Sequence, residues 1–334
     1  MGKWFQCDRR LVLRWVNCAI AGLAGISTIA TILGCAGRWW WIWELLDHPR
    51  PQYCLLLLPA LVLGSLRRQR WSSIWIIPLL LNLGLLSPLF LPTTQAGTAG
   101  LEPTLRLLNV TLDHDYPART RQAIAYIDGQ TADLVWLIEV TPASLGQLQS
   151  ELKHYQLVAA EPRENSHGSA LFLKKRLTSA IAVQSTQVIH LPATSERPML
   201  EAVVTWAGHS IALLSFQTTR PRNAGTSEFQ QIELMAGASW SRQQLQQGRE
   251  VVMIGDFNTT PWSSRFRQLL QDSQLLNSQR GFGLQPTWNA YWPPLLRIAI
   301  DHCLHSRAFI VQNRTIGADV GSDHLPLQVD LRLN

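Results

Sequence analysis

The sequence predicts an α/β domain carried behind a set of N-terminal membrane helices. Three observations lead there. The first hundred residues hold three apolar segments, with nine Lys+Arg against three Asp+Glu. Beyond them, short apolar runs of strand length alternate with longer helical patterns. One run, Val251-Val252-Met253-Ile254, ends abruptly in Gly255-Asp256-Phe257-Asn258. It is β-branched and short, so it reads as a buried strand broken at Gly255.

The N-terminal segments come first. Leu11 to Leu33 is interrupted only by Arg14 and Asn17, and Trp71 to Leu91 is equally apolar. A span needs about 20 apolar residues, so both qualify, whereas Tyr53 to Leu66 is marginal. The first segment is too long for the apolar region of a cleavable signal, and two more follow. Lys3, Arg9, Arg10 and Arg14 precede the first segment, and Arg67, Arg68 and Arg70 fill the turn between the second and third. Arg38 and Arg50 in the intervening turn are offset by Glu44 and Asp47. With both strongly basic flanks cytoplasmic and three spans, the C-terminal part faces the periplasm or exterior of an inner or plasma membrane. If the second segment dips without crossing, that orientation reverses. Eight of the 14 Trp lie before residue 100, and Trp39-Trp40-Trp41-Ile42-Trp43 suits an interfacial anchor on the outer side.

Residues 1–92 thus form the anchor and 93–102 a small, uncharged tether. Residues 103–334 form the second domain. Leu105–Val110 reads as a strand, Arg119–Gln130 as a helix, and Asp133–Val140 as a strand so apolar that both faces are buried. Thr141–Tyr155 reads as a helix with Thr141 as N-cap and Pro142 in the first turn. Strands follow at Ser169–Leu173, Ile181–Val188, Leu200–Trp206 and His209–Phe216. A helix over Thr226–Gln247 leads into the Gly-Asp-Phe-Asn strand. A helix over Ser264–Asp272, a strand over Ile298–Leu304 in which Asp301 closes the run Ile298-Ala299-Ile300-Asp301-His302, and a final strand Leu327–Leu331 complete the chain.

Charge and cysteine content exclude some classes. The net +6 belongs wholly to the first hundred residues, because 101–334 hold twenty acidic and twenty basic residues. A neutral domain argues against binding long duplex DNA, which needs several Lys or Arg contacts to phosphate. Only Cys303 lies beyond the anchor, so the second domain has no internal disulfide and no thiolate metal cluster.

Side chains alternate along a strand, so Asp256 and Asn258 are aimed alike at the mouth of a sheet. Asp and Asn are also ordinary turn residues, and the stretch alone does not decide between the two readings. A second stretch, Gly321-Ser322-Asp323-His324-Leu325-Pro326, runs into the last strand. Together the two stretches resemble the signatures of the endonuclease/exonuclease/phosphatase superfamily, which includes deoxyribonucleases, abasic-site endonucleases, neutral sphingomyelinases and inositol phosphatases. The resemblance implies a four-layer sandwich over residues 103–334: two mixed β-sheets face to face, with helices outside. It also implies hydrolysis of a phosphoester substrate with Mg²⁺ or Mn²⁺. Glu139, Asn109 and Asp323 then correspond to the metal ligands, all oxygen donors as a hard cation requires. Asp256 corresponds to the base that activates water, and Asn258 to a carboxamide on a phosphate oxygen. His324 contacts the scissile phosphate, and Asp301 fixes its tautomer and favours its charge.

The sequence departs from the pattern at Gln217, where family members often carry a His, and Gln cannot donate a proton as an acid. His167, in a Gly-bearing turn, is either a substitute or a solvated loop residue. Arg197 before a strand, and Arg220 and Arg222 beside Gln217, either bind phosphate or are plain surface cations. Trp288 either lines the pocket or packs, and Trp292-Pro293-Pro294 reads as a rim loop. The leading expectation is a membrane-anchored phosphohydrolase whose partners are its substrate and the lipid bilayer. A degenerate binding module, suggested by Gln217, and a tethered nuclease acting on external DNA are the alternatives.

Overall fold

The protein is described here by a computed structural model covering residues 9–91, 103–175 and 181–334. The expected tether, 93–102, and the basic residue Lys3 lie outside the described residues. The chain divides into two compact units, Met1–Pro88 and Leu89–Asn334.

The first unit is helical: α1 (Arg9–Cys35), α2 (Trp41–Asp47), α3 (Arg50–Leu66) and α4 (Ile76–Leu86). Two helical stretches, Trp15–Cys35 and Arg70–Leu89, are long and apolar enough to cross a membrane. The 17 residues of α3 reach only about 25 Å at the α-helical rise. Arg50 and Asp47 are not loop charges as the orientation argument assumed. Both are 1% exposed and pair with each other. Arg50 also donates to Asn82 Oδ1 at 2.8 Å, and Asn82 donates to Thr31 at 2.9 Å. A buried network of this kind joins α1, α3 and α4, because a charge in an apolar bundle must find partners inside it.

The second unit contains β1 (Thr104–Thr111), α5 (Thr120–Asp128), β2 (Leu134–Ile138), α6 (Pro142–Glu151), β3 (Tyr155–Glu161) and β4 (Ser169–Lys174). Then come β5 (Ile181–His190), β6 (Pro198–Trp206), β7 (His209–Ser215), α7 (Ala224–Gln246), β8 (Glu250–Asp256) and α8 (Ser264–Ser273). Last are β9 (Leu276–Asn277), β10 (Asp301–His305), β11 (Phe309–Ile316) and β12 (Leu327–Leu333). They form two six-stranded sheets, ordered β11-β12-β1-β2-β4-β3 and β5-β6-β7-β8-β10-β9. Each sheet is mixed, with one parallel pair at its centre: β1–β2 in the first and β7–β8 in the second.

Strand alternation sorts the core into layers. Leu107, Leu134 and Trp136 of the first sheet meet Val204, Leu213, Val252 and Ile254 of the second between the sheets. The intervening residues Leu108, Val135 and Leu137 face Ile124, Ile127 and Leu148 of α5 and α6. Leu214 and Met253 face Leu234 of α7 and Phe266 of α8. The result is the expected four-layer α/β sandwich. Both faces of β2 are buried, and Thr141 caps α6 by accepting from Ser144 N–H in a reciprocal capping box.

Three boundaries differ from the sequence expectation. The helix at Thr141 stops at Glu151, so Tyr155 opens β3 rather than ending a helix. The strand expected over Ile298–Leu304 starts only at Asp301, so Asp301 opens β10 instead of closing the run that begins at Ile298. Gly255 does not break its strand: β8 continues through Asp256. A Cβ at Gly255 would stand 2.1 Å from the Phe216 carbonyl oxygen, and its φ of +148° is one that side chains rarely adopt. Glycine thus lets β8 press against the end of β7 while holding Asp256 in the sheet.

Gly255→Ala is therefore expected to destabilise the second unit by about 3 kcal/mol, since the opposing atom is backbone and cannot turn aside. Gly248→Ala, left-handed but facing open space, should cost about 1 kcal/mol. Denaturant unfolding of the full-length protein measures both, and equal losses would contradict the close approach.

Candidate active site

The site forms where the ends of the two parallel pairs face each other. Asn109 lies in β1 opposite Trp136 of β2, and Glu139 follows β2 directly. Asp256 ends β8 and stands in register with Asp301, the first residue of antiparallel β10. His324 precedes β12 and bridges to Trp288. Residues far apart in sequence are thus delivered by neighbouring strand ends, the usual place for a site on such sheets.

At the centre, His324 Nδ1 lies 2.9 Å from Asp301 Oδ2, with both side chains buried. Donor atoms of Asp256, Asp301 and His324 all lie within 4.8 Å of one another. Burial opposes a charge on His324, but the carboxylates of Asp301, Asp256 and Asp323 outweigh it and hold the imidazole up to about 10. Burial pushes Asp256 up to about 7, against the lowering influence of His324. At neutral pH the cluster is therefore an imidazolium among acids, one of which is poised to exchange a proton.

Asn258 has φ +48°, so strand alternation does not carry past Asp256. Its side chain returns by another route. The backbone N–H donates to Asp256 Oδ1 at 2.9 Å, and Nδ2 donates to Asp256 Oδ2 at 2.7 Å and to Thr218 O at 2.9 Å. Both amide hydrogens are spent, so here Asn258 orients Asp256 rather than donating to a phosphate oxygen.

Glu139 also has a left-handed backbone, φ +63°, conformational strain of the sort held at functional sites. Burial raises its carboxyl. Its Oε2 lies 2.6 Å from His114 Nδ1. Burial opposes the charge on His114, but Glu139 outweighs it and raises this imidazole. Sequence reasoning missed His114. Its signal was position, just beyond the end of β1, but Asp113-His114-Asp115 has the composition of a solvated loop. Oδ1 of Asn109 is buried without a hydrogen-bond partner, as is Oδ1 of Asp301. An orphaned, buried amide oxygen near the end of β1 fits a hard cation, which would complete it. Asp323 accepts from the Trp288 indole at 2.8 Å, which leaves its other oxygen available.

The expected substrate residues divide. Arg197 is only 8% exposed, and its Nε is buried without a partner. Burial lowers its pKa, against the charges of Glu233, Asp256 and Glu139. Arg220 stacks 4.6 Å above the Trp288 ring, so these two form one wall of the site. Arg222 is exposed, and its backbone N–H donates to Thr226 Oγ1 at the start of α7. Gln217 is buried just beyond β7. His167 is half-buried in the turn before β4. Burial, and then the charges of Arg197 and Arg163, bring it down to about 4, so it is neutral at physiological pH.

A second buried cation supports the centre. Arg314 on β11 donates to Gln285, to Ser278 at 3.3 Å and to the carbonyl of Asp301 at 3.2 Å. It crosses between the sheets and pins the first residue of β10. Nothing in the local sequence singles it out, because a lone Arg in a polar stretch reads as exposed.

Residues 105–324 match the model of the Endonuclease/Exonuclease/phosphatase family. The chain belongs to this family. Three solved structures show the same fold. D. rerio TDP2 complexed with a single-strand DNA product has a TM-score of 0.56 at 17% identity, over 69% of this chain and 100% of that one. The endonuclease/exonuclease/phosphatase from Bacteroides vulgatus gives 0.56 at 17%, over 70% and 100%. The human Nocturnin catalytic domain with bound sulfate gives 0.54 at 17%, over 70% and 96%. The chain has no significant match among curated proteins.

The central pair makes a sharp kinetic prediction. Asp301→Asn and His324→Ala should each lower kcat on the order of 10²–10⁴-fold. The double variant should be little worse than either, because groups acting as a unit are non-additive. Additive losses would mean that the two act independently.

Proposed function

We propose that this protein is a membrane-anchored, divalent-metal-dependent hydrolase of phosphoesters, with phosphodiesters as the leading class. The observation that carries the reading is the buried Asp256–Asp301–His324 cluster, with Glu139 within its electrostatic reach and an orphaned Asn109 oxygen at the end of a strand of the facing sheet. Family membership supports it.

Glu139, Asn109 and Asp323 would hold the cation, Mg²⁺ or Mn²⁺ by the hardness of their oxygens. When bound, it supplies Lewis-acid polarisation of a phosphoryl oxygen. The protein's own groups supply the rest. Asp256, held by two hydrogen bonds from Asn258, takes a proton from the attacking water. The water oxygen bonds to phosphorus as the opposite P–O bond breaks. The His324 imidazolium and the buried Arg197 guanidinium neutralise charge that develops on the phosphoryl oxygens. Gln217, where family members often carry a His, cannot donate a proton as an acid. Substrates whose leaving groups depart unaided should therefore be favoured.

The neutral catalytic unit disfavours long duplex DNA as substrate. TDP2 was captured with a single-strand DNA product, which keeps a single-stranded nucleic acid as the second reading. Assay of the full-length protein against single-stranded DNA, phospholipid and a small phosphodiester separates these, and cleavage of none would favour a binding module. EDTA should abolish activity and Mg²⁺ or Mn²⁺ restore it. Full activity in metal-free buffer would contradict the metal assignment.

The two apolar helices support anchoring, and the basic flanks support a catalytic unit outside the cytoplasm. A reporter fused after Asn334 should give a non-cytoplasmic signal. A cytoplasmic signal would mean that α3 does not cross.

A further inference from the structure

The rim of the site carries an apolar loop that the chemistry does not use. Between β9 and β10, Tyr291, Trp292, Leu295 and Leu296 are 53%, 49%, 69% and 52% exposed. Pro293 and Pro294 separate the two pairs, and Arg297 is the only charged residue from Gln285 to Ile300. Large apolar side chains displayed together beside a site mark an interaction surface.

The loop is braced. Arg297 donates to the carbonyls of Trp292 and Ala290, both at 2.8 Å. Leu296 N–H donates to Pro293 O at 2.8 Å. The Tyr291 hydroxyl is 2.7 Å from Arg119 and 3.2 Å from Asp113, next to His114. On the other side, the Trp292 ring lies 5.9 Å from Trp288, whose indole holds Asp323. The display is thus fixed by the residues that shape the site.

We propose that the Tyr291–Leu296 loop inserts into the interface of a lipid bilayer and presents a lipid phosphoester to the site. Tyr and Trp favour the headgroup level, and the two leucines favour the acyl chains beneath. Base stacking, the alternative use of exposed aromatics, gains nothing from leucines or a Pro-Pro pair. The chain's own two apolar helices would bring a bilayer to such a loop. The inference rests on the anchored phosphoesterase reading and narrows its substrate class.

The test has one arm that does not depend on catalysis. Hydrogen exchange of the full-length protein is compared in phosphatidylethanolamine–phosphatidylglycerol nanodiscs and in amphipol, which offers no bilayer. The amides of Tyr291, Trp292, Leu295 and Leu296 should exchange several-fold more slowly in nanodiscs. Equal exchange in the two, or protection that appears in amphipol as the protein is concentrated, would overturn the proposal. The latter would assign the loop to a second copy of the chain. In the second arm, Leu295→Ser/Leu296→Ser is assayed in nanodiscs against phospholipid and a water-soluble phosphodiester. Lipid cleavage should fall by about tenfold or more with the soluble substrate unaffected. Equal losses on both substrates would overturn it. If the wild type cleaves neither substrate, the catalytic reading fails, while the exchange arm still decides the loop.

Discussion

The site depends on one buried ion pair. Asp301 and His324 come from opposite sheets and meet at 2.9 Å where water is excluded. Burying two charges costs several kcal/mol per ion unless each finds partners, and removing one partner strands the other. The structure compensates from several directions. Thr287 Oγ1 accepts from the Asp301 N–H, Arg314 donates to its carbonyl, and the Asp256 and Asp323 carboxylates also favour the charge on His324. The sandwich is therefore more than a scaffold: its two sheets must pack in one register for the pair to exist.

Around this pair the chain breaks ordinary local rules at three points. Glu139 and Asn258 take left-handed backbone conformations, and Gly255 lies where no side chain fits. Each departure turns a functional group inward at the end of a fully buried strand. Such conflicts between local preference and global fold concentrate at functional sites, where surrounding packing over-determines them. The orphaned oxygens of Asn109 and Asp301 belong to the same pattern, with acceptors kept free at some cost in stability.

What could be read in the sequence follows from how locally each feature is determined. Runs such as Leu134–Ile138 declare buried strands through composition alone, and Thr141-Pro142 declares a helix start through capping chemistry. β3 and β11 were not legible. Tyr155–Glu161 is half-buried and rich in Ala, and Phe309–Ile316 turns polar midway because it is an edge strand. The candidate site was legible where motifs place polar groups at strand ends, as with Asp256, Asp323 and His324. It was not legible where a role arises from a partner distant in sequence. His114 matters because Glu139 lies across from it, and Arg314 because Asp301 does. Arg50 likewise looked like a loop charge until its partners Asn82 and Asp47 were placed beside it.

Asp301, within a buried acidic cluster, holds His324 as an imidazolium. Nitrogen NMR of the full-length protein, with His324 assigned by comparison with His324→Ala, tests it most directly. The account predicts a doubly protonated ring at neutral pH that loses its proton only toward about 10. In Asp301→Asn, the same ring should titrate at a distinctly lower pH. A wild-type His324 that titrates as an ordinary histidine, or one that Asp301→Asn leaves unmoved, would contradict the account.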